Sequence, residues 1–142
     1  MKTQKKLHRT RQLALAAALL MGATLAQATE TKVLLSGAEE TPAVDTAASG
    51  AGTITVGADH SVSGSITVKD LQATAAHIHA GAAGKSGPPV ITLTKSGDNI
   101  WSVPAGSSLN DEQYASYLAG NLYINVHSAD HKPGEIRGQL RP

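Results

Sequence analysis

From Thr31 onward, apolar residues alternate with polar ones in short runs, and Gly, Pro, Asn, Asp and Ser break the runs apart. Successive side chains leave a strand on opposite sides, so a period of two is the spacing of strands with one buried face. Many such runs with frequent turn residues predict an all-β sandwich or barrel. The runs are Lys32 to Ser36, Gly52 to Val56, Val62 to Val68, Ala75 to Ala80, Val90 to Leu93, Ile100 to Val103, Leu122 to His127 and Glu135 to Leu140. Gly57-Ala58-Asp59-His60 reads as a hairpin turn in which glycine supplies positive φ. Gly81 to Pro89 carries three glycines and two prolines, so a loop is expected there. One segment departs from the pattern. Asn110 suits a helix N-cap, Gln113 the reciprocal position of a capping box, and Asp111 and Glu112 the positive end of the helix. Leu109 and Tyr114 suit a hydrophobic staple, and Gly120 a left-handed terminator. A single short helix over Asn110 to Ala119 follows.

The amino-terminal 28 residues follow a different rule. Lys2, Lys5, Lys6, Arg9 and Arg11 precede an apolar run from Leu13 to Leu25, which ends at Ala26-Gln27-Ala28. This is the order of a cleavable secretory signal, and the run is shorter than the roughly 20 residues that span a bilayer. Cleavage after Ala28 leaves one domain, residues 29–142, with no membrane span, in the periplasm or outside the cell. No cysteine is present, so a lipid-anchored form of the signal is excluded and the domain must fold without disulfides. Five of the 12 basic residues fall in the signal and all 11 acidic ones after it, giving 7 − 11 = −4 for the mature domain. A mildly acidic domain with one Trp, three Tyr and no Phe is poorly suited to nucleic acid.

Strand parity puts Ile78 in the core and His77 and His79 on the opposite face. In the run from Leu122 it buries Leu122, Ile124 and Val126 and turns Tyr123, Asn125 and His127 outward. In the last run Ile136, Gly138 and Leu140 face in, while Glu135, Arg137 and Gln139 face out. Two imidazoles at i and i+2 reach a common ion at about 2.0 to 2.1 Å, and a third from a neighbouring strand completes a site. His77, His79 and His127 are the candidate ligands, with His131 as an optional fourth. Imidazole donors suit copper(II) or zinc better than magnesium or calcium. The alternative is a polar network in which the same histidines hydrogen-bond to loop backbone. His60 reads as a solvated turn residue, His8 leaves with the signal, and Glu135 with Arg137 as a salt-bridged pair or a loop anchor.

Five segments, in order, are similar to the CHRD (chordin-type) family: Leu35 to Pro42, Ala76-His77-Ile78-His79-Ala80-Gly81, Gly87-Pro88-Pro89-Val90, Leu122 to Ser128 and Pro133 to Leu140. The closing Gly134-Glu135-Ile136-Arg137-Gly138-Gln139 is the most distinctive. The resemblance implies an immunoglobulin-like β-barrel with limited similarity to copper/zinc superoxide dismutases, and no settled activity. Within that similarity, His77, His79 and Val126-His127 resemble copper ligands, and Arg137 the arginine that guides an anionic substrate. A histidine-rich zinc loop and the stabilising disulfide are missing.

There is no Gly-x-Ser-x-Gly elbow, phosphate loop, dinucleotide fingerprint or His-Glu-x-x-His helix. Glu39-Glu40 beside Pro42 has no identifiable carboxylate partner. Three functions remain: a non-catalytic exported binding domain whose histidines take copper or zinc, a protein-interaction or envelope-structural module with an unknown protein partner and no metal, and a dismutase-like redox enzyme. Metal content separates the second from the others.

Overall fold

The computed structural model describes residues 27–142; the signal segment expected over residues 1–28 lies outside the described residues except for its last two positions. Nine strands form: β1 (Thr29–Ser36), β2 (Ser49–Val56), β3 (Val62–Lys69), β4 (Ala73–Ala80), β5 (Pro89–Thr92), β6 (Thr94–Lys95), β7 (Ile100–Ser102), β8 (Leu122–Ser128) and β9 (Ile136–Leu140). They make one antiparallel sheet in the order β5-β4-β8-β9-β1-β2-β3-β7-β6. Its two edges, β5 and β6, are separated in sequence only by Leu93. The sheet must therefore curl until its edges meet, which makes a nearly closed barrel. Closure leaves little exposed edge for another chain to pair with. Leu93 sits at the seam, buried, with its N–H donated to Ala76 O at 2.9 Å.

The inward-facing set is the one that alternation selects. Val33, Leu35, Ile54, Ile66, Ile78, Ile124, Val126, Ile136 and Leu140 are all buried in one core. Gly138 also faces in, because a Cβ there would strike the Leu34 carbonyl and the Val33 side chain. Among the described residues the one α-helix, α1 (Asp111–Leu118), carries the complete capping box: Asn110 Oδ1 accepts from Gln113 N at 2.8 Å, and Gln113 Oε1 accepts from Asn110 N at 2.9 Å. Gly120, at φ +73°, ends it. Among the described residues no helix is long and apolar enough to cross a membrane.

Two local expectations are corrected. In the hairpin after β2 the positive φ falls on His60 (+68°), not on glycine. His60 is not simply solvated: its ring stacks on Tyr114 with centroids 4.0 Å apart, and its Nδ1 lies 3.6 Å from Asp111. That stack fastens the hairpin to the helix and makes up for a left-handed backbone. A short 3-10 turn at Gly37–Glu39 also follows β1.

Candidate metal centre

The registers of β4, β8 and β9 lay out the outer face as a grid. His77 stands opposite Asn125, which stands opposite Arg137; His79 stands opposite Tyr123, which stands opposite Gln139; His127 stands opposite Ala75. Parity thus places every one of these side chains on the predicted face. The face is largely covered, however: Tyr123, Asn125 and Arg137 are only 3%, 3% and 2% exposed, while His77, His79, His127 and Gln139 are half-buried. Two loops cover it, one from Gly81 to Pro88 and one from Ala129 to Gly134.

Arg137 holds the first loop. Its guanidinium donates to Lys85 O and Ala82 O, both at 2.9 Å, and to Gln139 Oε1 at 3.2 Å, while lying 3.5 Å over the Tyr123 ring. Gln139 Nε2 donates to Gly81 O and Gly120 O, and Tyr123 Oη accepts from Gly87 N at 3.1 Å. Of the two roles expected for Glu135 and Arg137, loop anchoring is the one realised. Glu135 accepts from Thr46 Oγ1 at 2.7 Å instead of pairing with Arg137. A guanidinium so committed and covered is not positioned to steer an anion from solvent.

His77, His79 and His127 each offer a ring nitrogen, and the three nitrogens lie within 4.8 Å of one another. His131 falls outside that set; its backbone N–H donates to Ser128 Oγ and its carbonyl accepts from Gly134 N. Hydrogen bonds fix which nitrogens carry protons. His79 Nδ1 lies 2.9 Å from Gly87 O and His127 Nδ1 lies 2.7 Å from Lys132 O, so each must be an N–H, and the lone pair of each neutral ring sits on Nε2. His77 Nδ1, 3.0 Å from His127 Nε2, is then the donor in that pair. His79 Nε2 is buried and has no partner. Burial pushes the pKa values of His77 and His79 below the ordinary imidazole value and the neighbouring rings push the same way, while at His79 the hydrogen bond to Gly87 partly opposes the shift. Neutral, lone-pair-bearing rings are the form that coordinates metal.

Glu40, which sequence reasoning left without a role, lies beside this cluster. β1 ends at Ser36 opposite Arg137, and Gly37 turns the chain where any Cβ would strike the Val44 carbonyl. That turn delivers Glu40 to Asn125 and Gly134: a Cβ built on Gly134 would strike both Glu40 Oε1 and Asn125 Nδ2. Glu40 Oε1 and Asn125 Oδ1 are buried without hydrogen-bond partners. Burial drives the Glu40 carboxyl above its usual range, and the Thr41 N–H, Arg137, Asn125 and His127 pull it partly back. The only sequence signal for Glu40 was its place in a segment that carries the family resemblance.

The family model for the CHRD domain matches residues 31–140. No curated protein and no solved structure matches the chain.

Proposed function

The chain belongs to the CHRD family, and from that premise and the imidazole cluster we propose that the domain binds one copper(II) or zinc ion through His77, His79 and His127, as a non-catalytic binding domain of an exported protein. The observation that carries this reading is the buried, unpartnered Nε2 of His79. A lone pair stripped of water and given no hydrogen bond is costly, and a bound cation removes that cost. Two further features support it. Nitrogens about 2.0 to 2.1 Å from one ion stand roughly 3 Å apart, which is the 3.0 Å spacing of His77 Nδ1 and His127 Nε2, so an ion takes the place of the proton that His77 Nδ1 shares with His127 in the metal-free protein. The Gly87 and Lys132 carbonyls act as the outer partners that orient metal-binding histidines.

The competing reading, a metal-free interaction or envelope module with the histidines as a structural network, accounts for the bonds to Gly87 and Lys132. It leaves Nε2 of a neutral His79 without a hydrogen bond.

Metal analysis and thermal melting of the purified protein test the proposal. One equivalent of copper(II) or zinc is expected, and metal at 100 times Kd adds about 2.7 kcal/mol to stability. His79→Ala removes the thermal gain, whereas His131→Ala keeps it. No metal uptake, or equal affinity in the His79→Ala and His131→Ala variants, refutes the site. Export is tested separately by amino-terminal sequencing of periplasmic material, where a chain starting at Thr29 is expected and one starting at Met1 refutes it.

A further inference from the structure

Three buried polar atoms stand unpaired on one side of the imidazole cluster: His79 Nε2, Asn125 Oδ1 and Glu40 Oε1. All three are electron-pair donors. His79 Nε2 is the lone-pair nitrogen because Nδ1 donates to Gly87 O. Asn125 Oδ1 is identified as the oxygen because the other amide atom, Nδ2, faces Pro133 O at 3.1 Å, where only a donor fits. Glu40 is a carboxylate whose second oxygen has one long contact, 3.4 Å, from Thr41 N. Arg137 gives it no hydrogen bond, since its donors go to Lys85, Ala82 and Gln139, and acts on it only through its charge.

The neutral His79 Nε2 and Asn125 Oδ1 have lost their water and face no hydrogen donor, and Glu40 Oε1 has only the neighbouring Asn125 amide group. An arrangement of this kind persists when a positive charge or a hydrogen donor enters it. Asn125 is opposite His77 and two pairs along the register from His79, on the same face, and its side chain lies within hydrogen-bonding reach of the His79 ring. Glu40 is a carboxylate tucked against Asn125 and Gly134, close enough for the charge of His127 to act on it.

Resting on the imidazole reading above, we propose that Asn125 and Glu40 complete the cation site: Asn125 Oδ1 is the fourth donor beside the three imidazoles, and Glu40 supplies the negative charge that favours a divalent over a monovalent ion. The ion then has three nitrogens and one oxygen, a donor set suited to copper(II) or zinc. His131 has no part in it.

Stability and affinity should move in opposite directions when Glu40 is neutralised, which a merely structural carboxylate would not produce. Zinc affinity by competition with a chromogenic chelator and metal-free melting temperature are measured on the purified parent, Glu40→Gln and Asn125→Ala. In Glu40→Gln the metal-free protein melts at or above the parent temperature, while zinc affinity falls tenfold or more. In Asn125→Ala affinity falls by at least as much, and the visible absorption of cobalt(II) bound in place of zinc shifts as the oxygen donor is lost. If the parent binds zinc and both variants bind within twofold of it, the fourth-donor proposal is overturned while the imidazole site stands. An affinity loss in Glu40→Gln that only tracks a lower metal-free melting point overturns it as well. A parent that takes up no metal refutes the imidazole site and this extension with it.

Discussion

Replacing Arg137 by Met should cost the domain a large part of its stability. The guanidinium makes two hydrogen bonds to loop carbonyls at 2.9 Å and one to Gln139 at 3.2 Å, and it stacks 3.5 Å from Tyr123. Hydrogen bonds to a charged group contribute about 1.5 to 3 kcal/mol each. Lys85 is exposed and Ala82 half-buried, so water can reach the freed carbonyls, and the lower end of that range applies to both. Loss of the stacked cation adds about 0.5 to 2 kcal/mol. Methionine keeps the apolar stem and recovers the desolvation of the charge, which holds the net loss to about 3 kcal/mol. Against a total of roughly 5 to 15 kcal/mol, the melting temperature should fall by about 10 °C or more. Urea unfolding followed by circular dichroism reads the loss directly. Arg137→Lys should restore less than half, because a point ammonium cannot span two carbonyls as the planar fork does. A loss under about 1 kcal/mol in Arg137→Met, or full recovery with lysine, would refute the view that Arg137 clamps the loop. The same variant should weaken metal binding, since the released loop carries the Gly87 carbonyl that sets the proton on His79.

Asn110→Ala removes half of the capping box and should cost about 1 kcal/mol, with Asn110→Asp retaining most of it, by thermal melting. Ile78→Asp should leave the chain unfolded by circular dichroism, because a carboxylate in the barrel core has no partner. For the metal-free protein, His77 and His79 are lowered by burial, so below about 6.5 the unfolded chain takes protons that the folded one resists. Stability from these two groups is complete at neutral pH and is lost as pH falls below that value. Glu40 is raised by burial, so its contribution has the opposite sign: it is lost as pH rises above the ordinary carboxyl value of 4.5. Urea titrations of Glu40→Gln from about pH 5.5 to 7 should therefore show stability rising with pH, and adding His77→Asn and His79→Asn should flatten that rise. A rise that survives the two histidine substitutions would contradict the assignment.

What the sequence made legible is what short spacing encodes. The inward positions of Ile78, Ile124 and Ile136 follow from parity, and the capping box of α1 spans only three residues. The strand ends were less accurate, because Thr29, Ser49 and Ala73 are held in strands by partners far away in the chain. β6 is two residues long and forms one edge of the sheet by pairing with β7; nothing in Thr94-Lys95 itself distinguishes it from a loop. The left-handed residue of the first hairpin was misassigned to glycine because local rules favour it there. The His60 stack on Tyr114, a contact with the later helix, supports a conformation that sequence-local steric preference disfavours.

The site divides along the same line. Parity gathered His77 and His79 on one face, and the β8 pattern put His127 on the matching face, because sheet neighbours inherit each other's alternation. Parity says which side of a sheet a residue takes but not whether that side is wet, so Tyr123, Asn125 and Arg137 were expected outward and lie beneath two loops. That covering changes the chemistry. An exposed Arg137 would be a steering charge, whereas a buried one bonded to Ala82 and Lys85 is a clamp. An exposed Asn125 would be satisfied by water, whereas the buried one has a bare oxygen. Glu40 reaches this cage through the turn at Gly37, on the far side of the chain from β8, and no spacing rule links the two. The polar groups left unpaired on a covered face are the strongest reason to treat it as a site, since a face built only to hold loops would have no use for lone pairs without hydrogens.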